Sequence, residues 1–176
     1  MPLQRKLSDA YRVVITPFFP QKRARIPGYR YRVVLGVGGN MGDTQRRLHH
    51  LWTYLRRASQ LYPIQSGVIV RNPPFGYTQQ ADFDNTVIEI ATSLSPRRLL
   101  RRIWRIEKHF GRKRSFENAP RTLDLDMIFV DNLSINTPEL IVPHPGWKKR
   151  LSVLIPLRSL GNNGKKRRRR YENLDL

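Results

Sequence analysis

The spacing of apolar residues between positions 31 and 130 predicts most of the secondary structure of this chain. Strand-like runs rich in β-branched residues cover residues 31–37, 68–70, 85–91 and 123–130. Helical spacing follows Asp43 up to Pro63, and a second helical stretch follows Ser95 up to Gly111. The order strand, helix, strand, strand, helix, strand is typical of an α+β fold. It predicts a ferredoxin-like βαββαβ antiparallel sheet with helices packed on it.

Both predicted helices carry residues that favour helix ends. Asp43 or Thr44 is suited to the N-cap of the first helix. Its apolar stripe consists of Leu48, Leu51, Trp52 and Leu55. In the second helix Ser95 is a suitable N-cap, Pro96 suits the first helical position, and Gly111 provides the C-terminal stop. We therefore expect both helices to bury one face against the sheet.

Length and composition favour one folded domain with polar ends. At 176 residues the chain is long enough for one core and too short for two. We expect a domain over residues 31–160, a basic extension over residues 1–30 and a basic, disordered tail over residues 161–176. No apolar run reaches the ~20 residues of a membrane span. The absence of cysteine excludes disulfides and thiolate metal sites, and a cytoplasmic protein is the expectation.

The net charge of the chain points to polyanionic partners. Lysine and arginine number 33 against 13 acidic residues, which gives a formal charge of +20. Nucleic acid, an anionic membrane or nucleotide phosphates would each fit such a charge. The excess is spread along the chain, so the tail alone does not explain it.

Two aspartates on the last predicted strand are the strongest candidates for chemistry. Asp124 and Asp126 alternate with apolar residues, so a strand directs both carboxylates to one face. Two carboxylates ~7 Å apart suit a hard cation held together with water and phosphate oxygens. The alternative is a half-exposed strand that happens to alternate.

A basic loop between residues 111 and 121 precedes this strand. It carries Arg112, Lys113, Arg114 and Arg121, and a charge run of this kind is often merely solvated. Its place beside the acidic pair favours a loop that binds phosphates, because metal-assisted polyphosphate chemistry needs metal ligands and cationic side chains together. A histidine between prolines, His144, is weak evidence by itself. The Gly38-Gly39-Asn40 segment is either a phosphate cradle or, with more support from its spacing, a simple turn.

These residues form a set of motifs that resembles the hydroxymethyldihydropterin pyrophosphokinase family. The motifs follow the family's order over residues 31–157, and they read GVGGNMGD, NPPFG, DFDN, EKHFGR, PRTLDLD and VPH. The resemblance implies the ferredoxin-like fold, ATP as co-substrate and transfer of its terminal pyrophosphate to a reduced pterin. It also implies two Mg²⁺ ions. We further expect a monomer that does not associate with a membrane.

The resemblance implies a role for individual positions. Asp124 and Asp126 would bridge both magnesium ions. The residues expected to bind ATP are Glu107, Arg112, Arg114, Arg121, His144 and Arg150. Of these, Arg114 and Arg121 would act in catalysis together with the two aspartates. The residues expected around the pterin are Asn72, Pro74, Phe75, Phe83, which would stack on the ring, and Asn85, which would bind its edge. The pterin oxygen would attack the β-phosphorus without a protein nucleophile.

Two positions depart from the family pattern. Glu117-Asn118-Ala119 replace an Arg-Trp-Gly segment and shorten the loop by one residue, so the usual tryptophan is missing there, with Phe116 one candidate replacement. Ser152 stands where an aromatic residue often closes the pterin pocket, and Trp147 is one candidate for that wall.

Two other functions fit parts of the sequence. A nucleic-acid-binding module on a ferredoxin-like sheet would explain the pI of about 11.4, and non-specific nucleic-acid contact is expected of the tail. Asp124 and Asp126 would repel a phosphate backbone from the central strand, and no RNA-binding sequence signature is present. A catalytically degraded relative is the other alternative, against which the retained aspartates and arginines argue.

Overall fold

The computed structural model describes residues 2–23, 28–113, 116 and 118–160, and these form a mixed α+β fold. Its main sheet contains β1 (Leu3–Lys6), β2 (Arg12–Ile15), β3 (Tyr31–Gly39), β4 (Leu61–Ser66), β5 (Ile69–Asn72), β6 (Phe83–Thr92) and β7 (Asp124–Val130). The helices are α1 (Thr44–Arg57), α2 (Pro96–His109) and α3 (Leu151–Ser159), with a short 3-10 turn at Trp147–Lys149 before α3. A small hairpin, β8 (Ile135–Asn136) and β9 (Ile141–Val142), follows β7.

The main sheet is antiparallel in every strand pair of the described residues. Its order is β1-β2-β5-β6-β3-β7, and β4 also pairs with β6. The centre of the sheet is therefore β6 and β3, with β7 on the outer side of β3. The predicted α+β class with an antiparallel sheet and packed helices is confirmed at this level.

The two faces of the sheet are covered by different helices. On one face, Leu35, Leu125 and Met127 pack in a core with the apolar stripes of α1 and α2. On the other face, Val34, Ile128 and Phe129 pack with the apolar side of α3. Because neighbouring residues of a strand point to opposite faces, Asp124 and Asp126 lie on the same side as α3. They are thus separated from α1 and α2 by the sheet.

Local chemistry explains where α1 and α2 begin and end. The Asp43 carboxylate accepts a hydrogen bond from the Arg46 N–H at 2.9 Å, which caps α1 as predicted. Pro96 occupies the first turn of α2 after Ser95, although the Ser95 side chain makes no capping hydrogen bond. Gly111 has φ of +80° just beyond α2, a conformation that glycine adopts without strain.

Three segments differ from the sequence-based expectation. Helix α1 ends at Arg57 rather than close to Pro63, because residues Leu61–Ser66 form β4. Pro63 is accommodated there at a shift of register against β6, where its missing N–H leaves the strand pairing intact. Residues 1–30, expected only as an extension, contribute β1 and β2, and β2 pairs with β5 at the sheet edge. Helix α3 was not predicted.

The tail over residues 161–176 lies outside the described residues, so its expected disorder stays a prediction, as does the division into domains. Within the described part of the chain, none of the helices has the length and hydropathy that crossing a bilayer requires.

Candidate active site

One cavity lies on the α3 side of the sheet, above the ends of β3, β6 and β7. Its volume is about 320 Å³. The side chains that carry its chemistry are Asn72, Phe75, Phe83, Asn85, Arg112, Asn118, Arg121, Asp124, Asp126, His144, Arg150 and Ser152. Gly36 and Gly38 leave the sheet bare beside Asp126 and Asp124, their neighbours in β7. The cavity thus has an open floor. Charged and imidazole side chains lie on one side of it, which we call the charged side: Arg112, Arg121, Asp124, Asp126, His144 and Arg150. The amides of Asn72 and Asn85 lie on the other, which we call the amide side.

The two β7 carboxylates meet different partners. Arg112 donates to Asp124 Oδ1, and Arg121 Nη1 donates to Asp124 Oδ2 at 3.1 Å. The Asp126 carboxylate accepts no hydrogen bond from the described residues. Burial and the neighbouring Asp124 raise the pKa of Asp126, while His144, Arg150 and Arg112 oppose the rise. Asp126 is therefore a carboxyl group without a hydrogen-bond partner among the described residues.

A buried glutamate positions one of these arginines. Glu107 belongs to α2, and its Oε1 accepts hydrogen bonds from the Leu125 N–H at 2.8 Å and from Arg112. Burial raises the pKa of Glu107 to about 7, Leu125 and Arg112 oppose the rise, and Asp124 adds to it. Glu107 does not line the cavity. Its contacts join α2, Arg112 and β7 into one network behind the acidic pair.

Arg121 lies where the charged side and the amide side of the cavity meet. Its backbone N–H donates to Asn40 Oδ1 at 2.9 Å, and its guanidinium lies 5.1 Å from the centre of the Phe83 ring. Its Nε is buried and has no acceptor among the described residues. A buried donor without a partner is costly, so this nitrogen indicates a place for an anionic or carbonyl oxygen of a ligand.

Two amide side chains face each other on the opposite side of the cavity. Asn85 Nδ2 donates to Asn72 Oδ1 at 2.8 Å, and Asn72 Nδ2 in turn donates to the Pro73 carbonyl at 2.8 Å. This chain of hydrogen bonds fixes the Asn85 amide beside the Phe83 ring. A flat heterocycle with donors and acceptors on its edge would fit such a combination of amide and ring.

His144 and Arg150 complete the charged side. The His144 N–H of the backbone donates to the Ile128 carbonyl at 3.0 Å, so β7 positions this residue. Its ring Nδ1 accepts from the Gly146 N–H at 3.2 Å, and this contact orients the ring. Ser152, in the first turn of α3, is buried at the cavity wall.

The acidic pair suits a divalent cation better than a structural ion pair. Two carboxylates on the same face of neighbouring β7 positions favour a shared positive charge, and oxygen donors are what Mg²⁺ prefers. No group of three or more His, Cys, Asp or Glu side chains in the described chain is arranged around a metal ion. A Mg²⁺ site of one or two carboxylates is complete only with water and substrate phosphates, so the residues present fit that kind of site.

The cavity gathers most of the residues named from the sequence. Those that line it are Asn72, Phe75, Phe83, Asn85, Arg112, Arg121, Asp124, Asp126, His144 and Arg150. Glu107 reaches it through Arg112. Pro74 is not part of the lining, and Arg114 lies outside the described residues. Trp147 packs edge-on against Phe129, 4.8 Å between ring centres, and does not form the wall beside Ser152.

Sequence reasoning missed one organising residue and misjudged two glycines. Asn40 binds the Arg121 N–H and also donates to Gln80 Oε1 at 2.8 Å and the Ala81 carbonyl at 2.9 Å. Gly38 and Gly39 belong to β3 rather than to a turn. A Cβ at Gly38 would lie less than 3.0 Å from the Asn85 side chain, and one at Gly39 equally close to the Thr122 carbonyl. These two glycines therefore allow close packing against Asn85 and Thr122, and they do not form a phosphate cradle.

Comparison with known proteins indicates the family to which the chain is related. Residues 34–162 match the family model described as 7,8-dihydro-6-hydroxymethylpterin-pyrophosphokinase (HPPK). A Helicobacter pylori protein named 2-amino-4-hydroxy-6-hydroxymethyldihydropteridine pyrophosphokinase is 40% identical over 82% of this chain and 90% of its own length. Proteins of the same name are 35% identical in Campylobacter jejuni, over 80% of this chain and 89% of that protein, and 38% in Bacillus subtilis, over 70% and 74%. On this evidence the chain belongs to the 7,8-dihydro-6-hydroxymethylpterin-pyrophosphokinase family.

Proposed function

We propose that this chain transfers the terminal pyrophosphate of ATP to 6-hydroxymethyl-7,8-dihydropterin, giving AMP and the pterin diphosphate, as a step in folate biosynthesis. Membership of the family supports the reaction. The observation that carries the proposal is a single cavity in which two carboxylates, four cationic or imidazole side chains and a fixed amide pair meet. Each of these groups would contribute to the transfer of the highly charged pyrophosphate to the flat pterin ring.

The charged side of the cavity binds the ATP phosphates in this proposal. Arg112, Arg121, His144 and Arg150 supply donors, and the partnerless Nε of Arg121 would gain an acceptor. Arginine suits this position because its planar fork of donors matches phosphate oxygens. The Glu107 contact keeps Arg112 beside Asp124, where charge develops on the transferring group.

The amide side binds the pterin. Asn85, held by Asn72, would bind the ring edge, and Phe83 would stack on the ring. The Arg121 guanidinium now covers the Phe83 ring at 5.1 Å, and its movement toward the phosphates would clear that face for the pterin. Ser152 leaves the opposite wall without an aromatic ring, so Phe83 provides the main stacking surface.

Asp124 and Asp126 would hold magnesium, two ions in this proposal. Magnesium would neutralise charge on the phosphates and favour departure of AMP. In the transfer itself, the pterin hydroxymethyl oxygen forms a bond to the β-phosphorus, its proton passes to water, and the bond from the β-phosphorus to the α-phosphate oxygen breaks. The protein contributes alignment and charge stabilisation rather than a nucleophile.

The sheet arrangement supports the finer, ferredoxin-like assignment that we also propose for the fold. Along the chain, β3 is followed by α1 and then by β4 and β5, and β6 is followed by α2 and then by β7. The strand, helix, strand unit thus occurs twice. In the sheet order β5-β6-β3-β7, the strands that open the two units, β3 and β6, are neighbours, as a ferredoxin-like sheet requires.

The test is an incubation of the full-length protein with ATP, magnesium and 6-hydroxymethyl-7,8-dihydropterin, with nucleotides separated by chromatography. The proposal expects AMP, formed only when the pterin is present and abolished by chelation of magnesium. Formation of ADP, or AMP formation that does not depend on the pterin, would contradict it. Complete inactivity of a folded protein would favour the catalytically degraded alternative.

A further inference from the structure

The outward surface of α1 and α2 is cationic and contains almost no acidic groups. The sequence of α1 contains four arginines and no acidic residue. That of α2 contains five arginines, one lysine and one acidic residue, Glu107, which is buried against Arg112 and β7. The outward cations of α2 are Arg97, Arg98, Arg101, Arg102, Arg105 and Lys108. We call the outward surface of α1 and α2 the helix face.

The helix face is separate from the candidate active site. The inward stripes of α1 and α2 pack on the side of the sheet that carries Leu35, Leu125 and Met127. Asp124 and Asp126 point to the other side. Substitution of outward side chains on these helices therefore leaves the cavity residues and their contacts in place.

Helix stability does not account for these cations. Arg97, Arg101 and Arg105 follow one another at four-residue spacing, as do Arg98 and Arg102, and like charges at this spacing repel. Arg97 and Arg98 also lie in the first turn, where the helix dipole disfavours positive charge. In the described residues, the ion pair on this surface is that of Arg97 with Glu139 at 3.7 Å. The arrangement costs the fold stability, and a bound polyanion would offset that cost.

Aromatic rings lie among the cations. A cavity of about 620 Å³ between the two helices is lined by His50, Tyr54, Arg57, Arg102, His109 and Phe110. Tyr54 lies 5.1 Å from His109 and 5.9 Å from Phe110, ring centre to ring centre. On the outer side of α2, Trp104 is 42% exposed between Arg101 and Arg105. Rings set among arginines are what proteins use to stack bases while binding the backbone that connects them.

We propose that the helix face binds single-stranded nucleic acid, with backbone phosphates on the arginine rows and bases on Trp104 and in the cavity beside Tyr54. The site is distinct from both the tail and the catalytic cavity. A lipid surface fits less well, because Trp104 is the one large apolar side chain of α1 and α2 that is exposed, which leaves little to insert.

The experiment uses the full-length protein and a fluorescein-labelled twelve-residue oligouridylate, with saturating ATP present so that the catalytic cavity is occupied. Anisotropy is measured at several salt concentrations for Arg101→Gln/Arg105→Gln and for the control Arg5→Gln/Arg12→Gln. The control removes the same charge from exposed positions on β1 and β2. Loss of two phosphate contacts should lower the salt slope by about 1.4, at ~0.7 per contact for single strands, and weaken binding roughly tenfold.

The control variant should bind within about twofold of the unmodified protein. Trp104→Ala should weaken binding roughly fivefold or more through lost stacking, with Trp104→Phe recovering part of it. Pyrophosphokinase turnover should stay unchanged in all four variants. Three results would each overturn the proposal. They are equal losses in the two double variants, oligonucleotide binding that is seen only when ATP is left out, and equal affinity for anionic phospholipid vesicles with the same response to Trp104→Ala.

Discussion

Replacement of Gly38 by alanine is a sharp perturbation of the proposed pterin pocket. A Cβ at this position would lie less than 3.0 Å from Asn85 Oδ1, closer than real Cβ contacts come. The next atoms are Asn85 Cγ at 3.3 Å and the Asp84 carbonyl at 3.8 Å, so rotation of the Asn85 amide relieves the clash. That rotation breaks the 2.8 Å hydrogen bond to Asn72 and removes the donor and acceptor from the pterin edge.

The expected cost in binding follows from the loss of one donor and one acceptor that would otherwise face the pterin edge. At about 0.5–1.5 kcal/mol for each hydrogen bond, Gly38→Ala should weaken pterin binding by about 1–3 kcal/mol, which is roughly 5- to 150-fold in the dissociation constant. ATP affinity should change less than about twofold, because the clash does not involve the charged side. Calorimetric titration with the hydroxymethyl pterin, in the presence of a non-hydrolysable ATP analogue, measures the effect.

The matched control is Gly36→Ala on the same strand and the same face. Its Cβ would meet Ile128 Cδ1 at 3.0 Å and Cγ1 at 3.3 Å, atoms near the end of a flexible side chain that can rotate away. This variant should bind the pterin within a few-fold of the unmodified protein. Unchanged pterin affinity in Gly38→Ala, or an equal loss in Gly36→Ala, would refute the reasoning that Asn85 binds the pterin edge.

The other predictions concern the charged side and the stacking ring. Asp124→Asn and Asp126→Asn should each lower turnover by well over about tenfold, with the thermal midpoint little changed; normal turnover in both would end the metal-site assignment. Arg121→Lys should lower turnover more than pterin affinity, since lysine lacks the fork of donors. Steady-state kinetics measures both, and a larger loss of pterin affinity than of turnover would show that the assigned role is wrong. Phe83→Ala should weaken pterin binding several-fold with ATP affinity unchanged, and equal pterin affinity would place the ring elsewhere. The pKa of Glu107 rises from 4.5 to about 7 on folding. The folded state therefore binds the proton more tightly, and its contribution to stability decreases as pH rises from about 4.5 to 7, by at most about 3 kcal/mol. Urea unfolding at several pH values should show this decrease in the unmodified protein and its loss in Glu107→Gln, whereas an identical pH profile in both would contradict it.

The parts of the fold that the sequence predicted well are those whose apolar residues face a single side. The stripe from Leu48 to Leu55 identified α1, and the alternation from Leu123 onward identified β7 and the shared face of Asp124 and Asp126. Both patterns depend on burial of one face, which is what periodicity reports.

The missed elements lack such a pattern. Helix α3 contains Pro156, and consecutive residues such as Ser152, Val153 and Leu154 are buried, so its sequence shows no single apolar stripe. Strand β1 is exposed along its length and is held by pairing with β2, which its own sequence does not reveal. Pro63 suggested a helix end, whereas the strand β4 tolerates it at a register shift.

The site divides in a similar way. Adjacent residues such as Asp124 and Asp126 could be placed together from local geometry alone. Bringing His144, Asn72 and Arg112 to the same cavity requires the order of the strands, which the motif resemblance supplied and periodicity did not. The role of Asn40 depends on three segments far apart in the chain, so no local signal could identify it. The cytoplasmic location, the monomeric state and the role of Arg114 stay predictions.

The most direct test of the central claim follows the phosphorus atoms of ATP through one turnover. The full-length protein is mixed with the hydroxymethyl pterin, magnesium and ATP labelled either at the α- or at the β-phosphorus, and the products are separated. Pyrophosphoryl transfer predicts that the β label appears in the pterin product and the α label in AMP. Recovery of the β label in ADP or in inorganic phosphate, with an unmodified pterin, would contradict the account.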